Sequence, residues 1–189
     1  MSTQLENKKI AILITDGFEE VEMVEPRKAL QGASAVTHII APGSGSVRAW
    51  DHTDWSKDYK ADIRLEDADP NNYDALLLPG GVMNPDKLRM NQQAVDFAKH
   101  FMQTGKPIAS ICHGPWLLIE TQELDGRRMT SYPSIKTDLI NAGANWVDEE
   151  VVTDRGLTTS RKPDDIPAFN RKMIEEFAEG VHVEATHSH

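Results

Sequence analysis

Cysteine is almost missing from this chain: Cys112 is the only one in 189 residues. That excludes an intramolecular disulfide and any multi-cysteine metal cluster. Long apolar runs are missing too. The longest aliphatic stretch, Ile10 to Ile14, falls far short of the ~20 residues that span a bilayer. Met1 to Lys9 is polar and offers no signal-peptide core. Cations are in the minority, with 20 Lys and Arg against 30 Asp and Glu, a formal charge of −10 and a pI near 5.1. Neutralising phosphates needs a cationic surface, so neither a nucleic acid nor an anionic membrane is expected as a partner. There is no Gly-x-Gly-x-x-Gly and no phosphate loop, hence no expected nucleotide cofactor. Internal repeats, low-complexity segments and linkers are absent as well. What remains is ordinary globular composition, 39% hydrophobic and 26% charged. The expectation is one cytoplasmic domain over residues 1–180, followed by a flexible tail over 181–189.

Strand and helix patterns alternate along the chain. Lys9 to Thr15 is β-rich and apolar on both faces, as in a buried parallel strand. Glu19 to Leu30 reads as a helix that Pro26 should kink or split. Val36 to Ala41, Ala75 to Leu78 and Pro107 to Ile111 read as further core strands, and Leu157 to Ser160 pairs with Val151-Val152 around a turn. Helices are predicted over Asn91–Gln103, Pro115–Thr121, Ser134–Asn141 and Pro163–Ala178. Ser46 to Ile63 alternates polar with large residues, which predicts a hairpin beside the sheet, with Trp50 and Trp55 as its packing. The order implies an α/β three-layer sandwich around a mostly parallel sheet. Sites in such sheets lie at the carboxyl ends of strands, here Asp16–Glu22, Pro79–Asp86 and Cys112–Pro115.

Cys112 ends a strand and opens a helix, the setting of a nucleophile elbow. Gly114 leaves room beside it, Pro115 suits a first helical position, and a helix N-terminus favours thiolate. His113 is a candidate base, although adjacent side chains usually diverge. Gly80-Gly81 after a strand can turn backbone N–H groups toward an oxyanion. Glu19 and Glu22 share a helical face, and a carboxyl beside a thiolate has a raised pKa and donates a hydrogen bond while neutral.

Asp16-Gly17-Phe18-Glu19-Glu20-Val21-Glu22, Leu78-Pro79-Gly80-Gly81 and Ala109-Ser110-Ile111-Cys112-His113-Gly114-Pro115 together resemble the PfpI family of the ThiJ/PfpI superfamily. Gly126-Arg127-Arg128, Asn141-Ala142-Gly143-Ala144 and Ser160 to Asp165 extend the likeness from Lys9 to Phe177. The resemblance implies a flavodoxin-like fold and self-association into a homodimer or larger oligomer. It also implies that Cys112 is the nucleophile, with Glu22 hydrogen-bonded to its sulfur. Gly81 and His113 would supply the oxyanion hole, with Glu19, Gly80 and Gly114 in support. His113 would pair with an acid from a neighbouring subunit, at the position of Asp86. Some relatives carry Glu there, and Gly81 to Pro85 is about one residue longer than in others.

Three functions fit these residues. The leading one is a cofactor-free, stress-related cysteine hydrolase acting on peptide or amide bonds. The alternatives are a glutathione-independent glyoxalase or deglycase acting on small carbonyl compounds, and a redox-sensing stress protein with an oxidisable Cys112. His182-Val183-Glu184 resembles the His-x-Glu of class I glutamine amidotransferases. It follows the last helix, however, and the elbow reads Cys-His-Gly rather than Gly-x-Cys-x-Gly. His182, His187 and His189 lie in the expected tail, which is a poor place for a formed metal site, and no metal is expected.

Overall fold

The computed structural model describes residues 2–182. Eleven strands and six α-helices run in the order β1 (Lys9–Leu13), α1 (Glu20–Gly32), β2 (Val36–Ala41), β3 (Ser46–Asp51), β4 (Asp54–Lys60), β5 (Ile63–Arg64), β6 (Ala75–Leu78), α2 (Met83–Leu88), α3 (Gln92–Thr104), β7 (Ile108–Ile111), α4 (Trp116–Ile119), β8 (Arg128–Met129), α5 (Lys136–Asn141), β9 (Asn145–Trp146), β10 (Val152–Asp154), β11 (Leu157–Ser160) and α6 (Ile166–Glu179). Seven strands form the central sheet in the order β10-β11-β7-β6-β1-β2-β5. Every pairing in it is parallel except that of β10 with β11.

The period-two geometry of β1 explains the layers. Ile10 and Ile12 face one core, with Met23 and Leu30 of α1 and Phe169, Met173 and Phe177 of α6. Ala11 and Leu13 face the other, with Phe97 and Phe101 of α3, Leu117 of α4 and Leu139 of α5. Both faces of the sheet are covered, so its strands are apolar throughout rather than alternating.

Several expectations are corrected in detail. Pro26 does not split α1, which runs unbroken from Glu20 to Gly32 with Pro26 buried inside it. A proline removes one N–H and crowds one carbonyl, and packing onto the sheet outweighs that local loss here. The hairpin is present as β3 and β4, an antiparallel pair outside the main sheet, but Ile63 leaves it to join the sheet edge as β5. The helix after Cys112 is a single turn, Trp116–Ile119, with Pro115 at its N-cap. Asn91 caps α3 by accepting from the Gln93 and Ala94 N–H groups, and Gly105 closes it at φ 72°.

Of the expected tail, Val181 and His182 fall among the described residues, and His182 is anchored. Its N–H donates to Gly105 O at 2.8 Å, and its Nε2 lies 3.3 Å from Glu176 Oε2. Val183, Glu184, His187 and His189 lie outside the described residues.

Candidate active site around Cys112

Strands β1, β6 and β7 are neighbours in the sheet, so the loops leaving their carboxyl ends converge. Those loops carry Gly17 to Glu22, Gly80 to Met83, and Cys112-His113. Asn84 fastens the first two together: it is buried, accepts from the Thr15 N–H at 2.8 Å, and donates to the Pro79 and Gly80 carbonyls at 3.0 and 3.1 Å.

Cys112 sits at φ 61°, in the left-handed region that a non-glycine residue occupies at a cost. The strain is held by hydrogen bonds on both sides, because its N–H donates to Ser160 O at 3.0 Å and its carbonyl accepts from the Tyr132 N–H at 2.8 Å. This is the expected elbow. It turns the thiol so that Sγ lies 3.2 Å from Nδ1 of His113, bringing together two side chains that adjacent positions would otherwise separate. His113 Nε2 lies 3.0 Å from Ser134 Oγ, and the ring stacks on Tyr132 with centroids 4.7 Å apart. Burial lowers the pKa of this imidazole, so it stays neutral more readily than a free histidine.

Glu22 is wholly buried. Its Oε1 accepts from the Gly80 N–H at 3.1 Å, while Oε2 is buried without a partner of hydrogen-bond geometry. Loss of solvation, reinforced by the charge of Glu19, pushes its pKa up to about 8. At neutral pH this carboxyl is protonated and can donate. The thiol of Cys112 is also raised well above its ordinary value, by burial first and then by the charge of Glu22, while the Gly81 and His113 backbone N–H groups act against the rise. The contribution from Glu22 vanishes when Glu22 is neutral, so thiolate forms most readily with a protonated Glu22 beside it. The helix dipole expected to favour thiolate is nearly absent, since α4 has only four residues.

The glycines are required by crowding. A Cβ on Gly80 would stand 2.6 Å from Glu22 Oε1 and 2.7 Å from Cys112 Cβ. Gly81 has φ 79°, and a Cβ there would strike the Gly17 carbonyl. Gly114 lies behind the elbow, packed against Leu78 O and the Ser110 hydroxyl rather than in the cavity.

A cavity of about 370 Å³ opens over the sulfur, lined by Glu19, Trp50, His52, Gly81, Cys112 and Tyr132 among others. Glu22 joins Glu19, His52 and Cys112 in a contiguous recess. Cys112, His113, Glu22, Glu19, Gly80 and Gly81 are therefore brought together as the sequence predicts. Asp86 is not: it is exposed on α2, away from the cavity lining. Trp50 is more than hairpin packing, since it meets Trp55 edge-on at 5.4 Å and also walls the cavity. Ser134, Tyr132 and His52 escaped sequence reasoning because each comes from a loop or hairpin without a motif of its own, and Asn84 because it sits on the short helix α2 with no motif around it.

The profile of the DJ-1/PfpI family matches residues 8–176. The chain belongs to the DJ-1/PfpI family. Among its family relatives, "Putative cysteine protease YraA" of Bacillus subtilis is 44% identical over 168 residues, covering 89% of this chain and 97% of the relative. "General stress protein 18" of the same organism is 45% identical over 169 residues, covering 88% and 96%. The crystal structure of Drosophila melanogaster DJ-1beta superposes with a TM-score of 0.82 at 28% identity, covering 98% of this chain and 94% of that one. The DJ-1/PfpI fold thus accounts for the parallel sheet and its layers. No helix among the described residues is long and apolar enough to cross a membrane.

Proposed function

We propose that this DJ-1/PfpI protein is a cofactor-free cysteine hydrolase acting on peptide or amide bonds. The observation that carries the reading is the arrangement at Cys112: a strained elbow, two backbone N–H groups directed at the sulfur, and a protonated carboxyl behind it. Cys112 attacks a carbonyl carbon, the Gly81 and His113 N–H groups receive the developing oxyanion, and a thioester forms as the amine leaves. Water then releases the acid and restores the thiol. The name of the Bacillus subtilis relative YraA supports this direction. Exposed Asp86 is available to a second copy of the chain, where it would hold His113 across the interface by taking the place of Ser134 at Nε2.

A second reading, glyoxalase or deglycase activity on small carbonyl compounds, draws support from Glu22. A carboxyl with a pKa near 8 can give and take protons at neutral pH, which rearrangement of a thiohemiacetal demands. The stress-protein name of the other Bacillus subtilis relative is in keeping with such a task.

Release of amine from fluorogenic peptides, lost in Cys112→Ala, supports the hydrolase. Glutathione-free consumption of methylglyoxal without any peptide cleavage supports the second reading instead. If wild type and Cys112→Ala behave alike on both substrates, both readings fail.

A further inference from the structure

Two histidines face the cavity, and their hydrogen bonding differs. His113 has both ring nitrogens engaged, Nδ1 with Cys112 Sγ at 3.2 Å and Nε2 with Ser134 Oγ at 3.0 Å, and its ring is fixed by stacking on Tyr132. It can steady the sulfur, but it has no nitrogen left for a substrate. His52 is arranged the other way round. Its Nδ1 lies 3.1 Å from Glu19 Oε1 and 2.9 Å from Asp51 Oδ1, and among the described residues Nε2 has no hydrogen-bond partner. Its side chain is 64% exposed and lines the same two recesses as Cys112.

The backbone fixes this ring in place. His52 occupies the tip of the β3–β4 hairpin at φ 55°, its N–H donates to Glu19 Oε1 at 3.0 Å, and its carbonyl accepts from Trp50 Nε1 at 3.0 Å. A carboxylate on Nδ1 and a free Nε2 toward the substrate is the geometry by which a histidine acts as acid and base. We propose that His52, its Nδ1 hydrogen-bonded to Asp51 and its backbone N–H to Glu19, is the general acid and base of the reaction initiated by Cys112. The assignment rests on the hydrolase reading above.

The proton balance is as follows. Cys112 sulfur bonds to the carbonyl carbon while the C=O π pair moves onto oxygen, held by the Gly81 and His113 N–H groups. As the carbonyl re-forms, the C–N bond breaks and the leaving nitrogen takes the Nε2 proton of doubly protonated His52. Neutral His52 then takes a proton from the water that attacks the thioester. The C–S bond breaks and the sulfur leaves as the thiolate that attacked, so Glu22 keeps its proton throughout and faces the sulfur as a donor. The sum is one amide plus one water giving one acid and one amine.

The test compares a peptide anilide, whose leaving amine must be protonated, with a p-nitrophenyl ester, whose leaving phenolate need not be. His52→Gln should lower anilide cleavage about 100-fold, in the range of a lost general acid. It should leave the rate of the nitrophenol burst within about threefold of wild type while slowing the turnover that follows. In His52→Ala, added imidazole should restore anilide cleavage at least tenfold. The Cys112 alkylation rate with iodoacetamide, unchanged in both variants, would certify an intact site. Equal losses on the anilide and on the ester burst, or no imidazole rescue, would overturn the role of His52. Anilide cleavage by His52→Gln at the wild-type rate would do the same while leaving the hydrolase reading intact. Absence of any turnover by wild type would overturn the hydrolase reading, and this assignment with it.

Discussion

Cys112 Sγ lies 3.2 Å from Nδ1 of His113, the residue that follows it directly in the chain. Consecutive side chains on a strand point to opposite faces, so this contact exists only because β7 ends one residue earlier and Cys112 adopts φ 61°. The elbow therefore does two jobs with one backbone distortion: it lifts the thiol into the cavity and folds the imidazole over it.

The coupling between Glu22 and Cys112 has a testable sign. Below about pH 8 Glu22 is protonated, so replacing it by Gln alters little electrostatically. Above that value wild-type Glu22 ionises and its charge opposes thiolate formation, whereas Gln does not. Iodoacetamide alkylation of Cys112 should agree within about threefold for wild type and Glu22→Gln at pH 7, and should be faster in the variant at pH 9. Slower alkylation of the variant at pH 9 would contradict the coupling.

The same carboxyl makes stability depend on pH. Its folded pKa of about 8 stands above the ordinary value of 4.5. Between those values the unfolded chain loses a proton that the folded chain keeps, so wild-type stability falls as pH rises from 4.5 toward 8 and levels off above. At ~1.4 kcal/mol per unit the total loss is at most about 5 kcal/mol. Urea unfolding should place Glu22→Gln close to wild type at pH 5 and several kcal/mol above it at pH 8. A constant difference across that range would rule out the buried neutral carboxyl.

Gly80 tolerates no side chain. In Gly80→Ala the new methyl would enter the space of Glu22 Oε1 and Cys112 Cβ and displace the Gly80 N–H that Glu22 accepts. A destabilisation of roughly 2–3 kcal/mol is expected from overpacking together with a lost buried hydrogen bond. The Glu22-dependent curvature of the alkylation profile should disappear as well. Wild-type stability in this variant would show that the loop yields more easily than its packing implies.

Asp86 gives a test of action between copies. If it serves a neighbouring His113, Asp86→Asn and Cys112→Ala are each inactive alone, yet mixed oligomers contain one complete site. Random re-association of a dimer should restore about a quarter of wild-type activity. No recovery on mixing, in a preparation shown by native mass spectrometry to have exchanged subunits, would confine the site to one chain.

Much of this architecture was legible in the sequence because strands buried on both faces read as continuous apolar runs and the loops after them carry Gly, Pro, Cys and acidic residues in separate clusters. Cys112, Glu22, Gly80 and Gly81 could be located for that reason. Ser134 and His52 could not, since their roles depend on where a loop and a hairpin are laid in space, and neither segment has a period that fixes its position. The thiol environment was misjudged for a related reason: the sequence implied a longer helix after Pro115, but Thr121 ends the turn with its hydroxyl bonded back to Leu118 O at 2.6 Å. Pro26 does not split α1 because one missing N–H is a local penalty, whereas the burial of Met23 and Leu30 on either side is decided by the sheet beneath.

The hairpin of β3 and β4 lies outside the main sheet and is fastened beside it: Glu20 accepts from the Ser56 and Tyr59 hydroxyls, Asp16 and Glu19 accept from the Arg48 and His52 N–H groups, backbone bonds run from Gly17 to Arg48 O and from Trp50 to Phe18 O, and Val47 and Ala49 are buried in the same core as Met23. It nevertheless supplies Trp50 and His52 to the cavity wall. Nucleophile and wall thus belong to different sheets of one domain. Val47 and Ala49 tie the ribbon to the core, but its other positions can change without altering a strand of the central sheet, so new substrate preferences can arise on an old thiol by recasting one ribbon.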